Sequence, residues 1–464
     1  MNAPQTIDID RVVDAQKIGR FITINLVVWL FLAAATDGYD LFVLGYAAPE
    51  LVHVWHLNRA ALGPVFAASS VGMLFGAPFF GYLGDKIGRK TAMIVSMLCY
   101  GLLTLATVLV GNLEQLTILR FVTGLFLAGI YPNALALQAE YAPNKVRATM
   151  VILVCVGLNL GSSWPGLVSA YMLPHFGWGV LFFVGGLAPM LIATCMIWTI
   201  PESVKYLVTQ PQRRAELAKL LQRLSPGLTV APNVTYVGTP NDTAPASSPR
   251  KLFEGKLGPI TGLFWFMVVA NVMTIFFLNN WMPTLFVAEG VAPKSAALAT
   301  ALFNLGGVVG ALILALLLDR IGLIALSLLF VIACPAIALI GAFGIPVQLL
   351  ILTIFVSGLC AHALQAGIPS ISAVIYPTNI RSKGVGWVAA IGRLGAIAGP
   401  LIGGVLVGWH WPLRAFFVAP VVPMALGAVA AYVLMRLAAE RFRGRRDESS
   451  DGSVPLGVVA QPHA

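Results

Sequence analysis

The sequence predicts an all-α membrane protein with twelve transmembrane helices in two six-helix bundles. Composition, the placement of the basic residues and an internal repeat each lead to that fold class. Residues AVILMFWYC make up 58% of the 464 positions and charged residues only 10%, and the mean hydropathy is +0.86. Soluble domains carry roughly a quarter charged residues, so this chain cannot cover a water-facing surface. Its apolar runs reach the roughly 20 residues that cross a bilayer as helix. The shorter alternating segments of barrel strands are absent, so the backbone must satisfy its hydrogen bonds inside helices.

Apolar runs between charged or Pro/Gly-rich breaks give spans at 21–45, 60–83, 91–111, 116–140, 150–172 and 178–200, then 259–287, 296–317, 322–342, 346–375, 384–408 and 413–437. The expected organisation is a tail (1–20), a first bundle (21–200), a linker (201–258), a second bundle (259–437) and a tail (438–464). The linker is Pro-, Ser-, Thr- and Asn-rich from Ser225 to Pro249, and only 210–223 reads as helix. The tail after Arg446 reads as disordered. The first nineteen residues are polar and no small-residue cleavage site follows the first apolar run, so a cleaved signal peptide is not expected.

Basic residues test the span count, because Lys and Arg collect on the cytoplasmic side. Of 29 Lys and Arg, all but five fall in the two tails and one set of alternate loops. Arg59, Lys294 and Arg414 occupy the opposite loops, while Arg120 and Arg393 lie within spans. A miscounted helix would scramble this segregation, so both termini are expected to be cytoplasmic. The net charge of +10 is thereby a topology signal, and no nucleic-acid partner is implied. The five cysteines fall in apolar runs without disulfide or metal-ligand spacing. No metal or cofactor is expected.

The halves repeat at one offset. Asp85 in Gly81-Tyr-Leu-Gly-Asp-Lys-Ile-Gly-Arg-Lys90 corresponds to Asp319, 234 residues later. Arg147 corresponds to Arg381 and Gly161 to Gly395 at the same distance. Such repeats hold substrate near the membrane midplane at their interface. Gly84 permits close helix approach, and Asp85 can accept from a helix N-terminus or pair with Arg147. Contacts of this kind that form in one conformation and break in another make a gate. Gly84, Asp85, Arg89, Glu140, Arg147, Asp319 and Arg381 are therefore gating candidates, the alternative being that the basic residues only set topology.

The run Gly81–Lys90 resembles the loop signature between the second and third helices of the major facilitator superfamily. Pro201-Glu-Ser-Val-Lys-Tyr-Leu207 is similar to that superfamily's Pro-Glu-Ser-Pro-Arg-Trp-Leu motif, departing at Val204, Lys205 and Tyr206. The resemblance implies the major facilitator fold, transport by alternating access, and bundles that can work as monomers. The second-half copy has Ala315 in place of the leading glycine and lacks the closing basic pair.

Charged groups inside spans cost roughly 2.5–3.5 kcal/mol on insertion scales, so those present are functional candidates. Asp37 and Asp40 in Thr36-Asp-Gly-Tyr-Asp-Leu41 share one helical face at a spacing of three. Carboxyls that are desolvated and set near a like charge hold protons more tightly than in water, so such a pair can carry a proton. The alternative is a hydrogen-bonded structural pair near the outer end of the span. Arg120 is expected to face a first-span carboxylate or the outer interface, and Glu140, beside Arg147, to form a structural or gating salt bridge, the alternative being a proton site. Arg393, flanked by Gly392 and Gly395, presents a guanidinium that forks onto a carboxylate. It reads either as a contact for an organic anion or as an ion pair with Asp319 or Glu140. Asn133, Asn159, Trp164, Asn280, Trp281, Asn304 and Gln365 are candidates to line the cavity, since amides bond ring hydroxyls and indoles stack on rings. Most such residues in any bundle bind neighbouring helices instead.

Asp37-Gly-Tyr-Asp40 also resembles the first-helix signature of the aromatic acid:proton symporters. Arg120-Phe-Val-Thr-Gly124, Pro132-Asn133, Glu140-Tyr-Ala-Pro143 and Gly392-Arg-Leu-Gly-Ala-Ile-Ala-Gly-Pro400 extend the likeness. It implies uptake of a small aromatic carboxylate, benzoate or hydroxybenzoate in class, with protons across a bacterial inner membrane. A porter or exporter for another small organic acid or sugar is the alternative. No His-Glu-x-x-His, Gly-x-Ser-x-Gly or phosphate-cradling Gly-x-x-x-x-Gly-Lys-Ser/Thr run is present, so neither an enzyme nor a nucleotide-driven pump is expected.

Overall fold

A computed structural model describes residues 6–15, 21–225, 235–237, 249–255, 257–342, 346–377 and 380–448. Among them, twelve helices are long and apolar enough to cross a membrane. In the first half they are Ile24–Val54, Arg59–Ile87, Arg89–Leu109, Leu113–Tyr141, Arg147–Phe176 and Gly179–Thr199. The second half contributes Leu257–Ala288, Pro293–Leu314, Leu323–Ile340, Val347–Ile375, Lys383–Gly408 and Ala415–Ala438. These are the first to twelfth spans below, and each overlaps an expected one. Large apolar side chains such as Phe75, Leu102, Ile118 and Val429 stand exposed on the outer surface, as a lipid solvent requires and water would not tolerate.

Two spans of the first half are broken, and the twelfth is interrupted between Leu413–Val418 and Val421–Glu448. The fourth consists of Leu113–Leu127 and Tyr131–Tyr141, the fifth of Arg147–Gly161 and Trp164–Phe176. Each second segment opens with a proline, Pro132 or Pro165, at its first or second position. Proline has no N–H to donate, so it suits a helix start and weakens a helix interior. Broken backbone inside a membrane persists only where its polar groups find partners. Here Ile130 N donates to Leu127 O, and Asn133 Nδ2 donates to Gly129 O at 2.7 Å. Ser162 Oγ donates to Leu158 O at 2.9 Å.

Contacts group the chain into two units. One comprises Met1–Leu41, Val71–Ser162 and Gly179–Thr243; the other comprises Phe42–Ser70, Ser163–Trp178 and Ala244–Ala464. The second unit thus includes the ends of the first, second and fifth spans remote from the basic loops. Within it Phe66 meets Trp281 edge-on at 5.3 Å between ring centroids, and Asn304 Nδ2 donates to Tyr46 Oη at 3.4 Å. Within the first unit, the first and fifth spans pack backbone to backbone. A Cβ on Gly38 would strike Leu158 O, and one on Gly161 would strike Ala35 O. Small residues are what permit such approach in membrane bundles.

The linker is more ordered than its composition suggests. Helices Val204–Val208 and Arg214–Leu224 follow the sixth span. Leu217, Leu221 and Leu224 join Val12 and Val13 of the N-terminal helix Ile9–Ala15 in one apolar cluster. A short parallel pair aligns Thr6–Asp8 with Thr235–Val237. Most of the stretch Ser225–Pro249, and the tail beyond Glu448, lie outside the described residues.

Gly161→Val is expected to destabilise the protein by about 1–3 kcal/mol through overpacking, read as a lower melting temperature in detergent. Gly262→Ala is the control, because a Cβ there meets nothing within 4 Å. Equal losses for both would refute the packing account.

Candidate functional site

The first-span carboxylates occupy the middle of their helix. Sequence reading ended that span at residue 45 and so set Asp37 and Asp40 near its end. The helix instead runs on to Val54, with Pro49 inside it, because Tyr46, Ala47 and Ala48 remain buried among other helices. Both carboxylates are 2% exposed.

Arg120 from the fourth span meets Asp40. Its Nη1 donates to both Asp40 oxygens, at 3.2 and 3.3 Å. Thr104 Oγ1 of the third span donates to Asp40 Oδ1 at 3.0 Å, and Arg120 Nη2 donates to Thr107 Oγ1 at 3.1 Å. The guanidinium lies over the Phe182 ring of the sixth span, 5.2 Å from its centroid. The neighbouring Tyr39 hydroxyl donates to Leu181 O at 2.9 Å. Four helices therefore converge on one buried charge pair. Each ion has given up its water, and removing either partner strands the other; in such sites that costs about 3–5 kcal/mol.

A second polar cluster lies on the face of the same unit that carries the basic loops, and it joins the two loop motifs. Gly88 precedes the third span with φ of 101°, a conformation glycine accepts without strain. The carboxylate of Glu202 sits against it and caps the helix. It accepts from Lys90 N at 2.9 Å, Thr91 N at 3.3 Å and Thr91 Oγ1 at 2.9 Å. An anion at a helix N-terminus also meets the positive end of its dipole. In return, Lys90 Nζ donates to Ile197 O and Ile200 O, both at 2.7 Å, and so satisfies carbonyls where the sixth span ends. Ser203 Oγ donates to Glu140 Oε2 at 2.5 Å, and Arg89 Nη1 pairs with Glu140 Oε1 at 2.9 Å.

This corrects two expected contacts. Glu140 pairs with Arg89 rather than Arg147, whose Nε donates to Ala142 O at 3.3 Å. Asp85 is not joined to Arg147 either: its side chain is 70% exposed and stands 3.9 Å from Arg89. Arg147 opens the fifth span next to the turn after Tyr141, so its own carbonyl-rich corner is the nearer acceptor. Glu202 and Ser203 were not among the expected site residues, and Lys90 was weighed equally as a gate or a topology residue. The signal for Glu202 and Ser203 was their place in the Pro201–Leu207 motif directly after the sixth span; the third span that Glu202 caps has no capping side chain of its own.

The remaining candidates divide by burial. Asn133 is buried and held in the fourth-span break, its Oδ1 so close to Gly84 that a Cβ there would strike it. Asn280 donates to Phe276 O at 2.8 Å, and Trp281 Nε1 donates to Pro400 O at 3.1 Å. Asn304 Nδ2 also donates to Asn279 Oδ1 at 2.7 Å. All three serve helix contacts in this structure. Asn159, Gln365 and Arg393 are half-buried, while Trp164 and Arg381 are exposed. The side chain of Asp319 lies outside the described residues. Gly395 brings the eleventh span against the seventh, where a Cβ would lie 2.5 Å from Val269 O.

Twelve spans among the described residues, an ion pair buried within the first unit and helix ends tied by charged loops define a multi-pass membrane transporter. Residues 30–287 and 264–460 match the Major Facilitator Superfamily, and the chain belongs to that superfamily; it is a transporter and not an enzyme. It is 33% identical over 450 residues to the 4-hydroxybenzoate transporter PcaK of Pseudomonas aeruginosa, covering 96% of this chain and 100% of that one. It is 32% identical to the gallate transporter of Pseudomonas putida, covering 91% and 94%. Among solved structures, an inward-facing bacterial homologue of the human lysosomal transporter Spinster superposes with a TM-score of 0.70 at 15% identity, covering 91% and 98%.

Arg120→Gln is expected to lower stability by about 3–5 kcal/mol. Adding Asp40→Asn should recover most of that loss, because the stranded charge is what destabilises. Thermal melts of single and double variants check it; no recovery in the double variant would show that the two side chains do not act as a pair.

Proposed function

We propose that this protein takes up an aromatic carboxylate of the benzoate or hydroxybenzoate class together with protons, by alternating access of two six-helix bundles (21–200 and 259–437). The observation that carries the reading is the buried carboxylate pair Asp37 and Asp40 at mid-membrane, with Arg120 bound to Asp40. The full-length likeness to 4-hydroxybenzoate and gallate transporters supports the substrate class.

Electrostatics makes the coupling intelligible. A monoanion entering against an inside-negative potential is opposed by about 2.3 kcal/mol per 100 mV. One co-transported proton cancels that term, and two make the potential assist. Protonation at the Asp37–Asp40 pair would weaken the hold of Arg120 on Asp40, a change that four helices feel at once. Arg393 would take the substrate carboxylate, with Asn159, Trp164 and Gln365 near its ring. Asn133, Asn280, Trp281 and Asn304 would contribute by shaping the helices around it. Gly84, Asp85, Arg89, Glu140, Arg147, Asp319 and Arg381 would form and release the gate contacts. The basic-loop face is then cytoplasmic, with both termini on that side of a bacterial inner membrane.

A panel of hydroxylated and methoxylated benzoates, tested for pH-gradient-driven uptake into proteoliposomes, examines the reading. Asp37→Asn should lose gradient-driven accumulation at least about tenfold yet still exchange substrate in counterflow. Arg393→Ala should raise KM about tenfold, the scale of one charge-assisted hydrogen bond. Wild-type transport by both variants would overturn the site assignment, and benzoate uptake without proton movement would sink symport.

A further inference from the structure

The third span carries a polar stripe into the interior of the first unit. Ser96, Tyr100, Thr104 and Thr107 follow one another at intervals of four, four and three residues and are all fully buried, so they share one helical face. Thr104 and Thr107 are engaged at the ion pair, on Asp40 and Arg120. Ser96 Oγ and Tyr100 Oη have no hydrogen-bond partner among the described residues. A buried hydroxyl left unbonded is a standing cost, and at residue 100 a phenylalanine would pack the same ring without it.

The depth of Tyr100 in the membrane places it beside the carboxylates. The first and third spans both start at the basic-loop face and so run parallel. Thr104 bonds Asp40. Tyr100 precedes Thr104 by four residues, about 6 Å of helix, and Asp37 precedes Asp40 by three, about 4.5 Å. Tyr100 and Asp37 therefore lie at one level, and the phenol is within electrostatic reach of both Asp37 and Asp40, next to Thr36. The proton of Thr36 goes to Ala33 O at 2.8 Å.

The other titratable and charged side chains facing this turn are engaged. Arg120 holds Asp40, Tyr39 Oη donates to Leu181 O, and Tyr131 Oη of the fourth span donates to Cys155 Sγ of the fifth at 3.1 Å. The sixth span presents Leu181 and Phe182. Tyr100 is thus the hydroxyl beside the carboxylate pair whose proton is uncommitted in this conformation.

We propose that Tyr100 is a positioning residue of the proton site, its phenol donating to the Asp37 carboxylate when that group is ionised. The ring stays packed, and the carboxylate turns about its two side-chain bonds to meet it. A bond made to the ionised form favours that form, so Tyr100 eases release of the proton from Asp37. The phenol keeps its own proton, as phenols do at neutral pH. That Asp37 carries a transported proton rests on the function proposed above; the contact does not.

The test is an infrared titration of the purified full-length protein, following the C=O stretch of protonated Asp37 as identified by its loss in Asp37→Asn. Tyr100→Phe should move the midpoint upward by about one pH unit, the tenfold effect of one charge-assisted hydrogen bond. Its melting temperature should stay level or rise, because no hydrogen bond is lost. Ser96→Ala removes the other unbonded hydroxyl of the stripe, one turn nearer the basic loops and against Gly129, and should leave the midpoint in place. In proteoliposomes Tyr100→Phe should raise the external pH of half-maximal uptake in the same direction, with little change in KM. An unmoved midpoint would overturn the proposal, as would an equal shift in Ser96→Ala, a lower melting temperature in Tyr100→Phe, or no titrating Asp37 band in the wild type. A moved midpoint in a protein whose uptake ignores the pH gradient would reject proton coupling and leave the contact standing. Gradient-driven uptake with an unmoved midpoint would reject the contact alone.

Discussion

A guanidinium cannot stay in the core of a bilayer without an anion to meet it. Arg120 is 1% exposed and Asp40 2%, and the rest of the first unit is arranged around that demand. The first span must bring Asp40 to mid-membrane, so it runs without a break past Pro49. The third span supplies Thr104 and Thr107 to use the hydrogen-bonding capacity that the two ions do not use on each other. The sixth span covers the guanidinium with Phe182. None of these contacts would hold such a charge alone. Together they hold one buried ion pair that four helices share.

At the basic-loop face the same economy appears with helix ends in place of side-chain ions. The third span begins where Glu202 can cap it, and the sixth ends where Lys90 can satisfy its carbonyls. Each motif therefore completes the helix terminus that the other leaves open. Glu140 and Arg89 extend the junction to the fourth span through Ser203. A helix terminus leaves several backbone groups without intrahelical partners, and in a thin polar layer between lipid and water those groups are a ready place to build contacts that can be released.

Much of this was legible in the sequence, for physical reasons that also mark the limit. Bilayer thickness fixes span length, so twelve apolar runs yielded twelve helices. Where a span carried polar residues beyond its apolar run, as with Glu50 and His53 after Ala48, the helix continued and the expected end at 45 fell short. The breaks in the fourth and fifth spans were hidden, because one proline after an aromatic residue, as in Tyr131-Pro132 and Trp164-Pro165, does not show from sequence whether a helix bends or restarts. Asp40 and Arg120 could each be singled out for the expense of a charge in lipid, but their pairing spans 80 positions and was only one of two open alternatives. Glu202 was noticed only as part of a motif and not as a cap, since its partners Lys90 and Thr91 lie over 110 positions away. Trp281 and Asn280 looked like cavity residues because aromatic and amide groups serve helix packing and ligand contact equally well; only their observed partners separate the two.

The repeat places a sharper constraint on where the chemistry can reside. At the 234-residue offset the counterparts of Asp37, Asp40 and Arg120 are Asn271, Thr274 and Ile354. Asn271 Nδ2 donates across to Ala361 O at 2.9 Å, and Thr274 bonds Ala270 O within its own helix. The second half thus occupies the same positions with neutral side chains, two of which donate to backbone carbonyls. The junction at the basic face is equally one-sided, since Leu323 and Val374 stand where the first half has Arg89 and Glu140. Two copies of one helical plan therefore differ in what they can respond to. The first copy holds Asp37, Asp40 and Arg120 at these positions, whereas the same positions of the second hold no carboxylate. The carboxylate chemistry of these positions is therefore confined to one copy of the repeat.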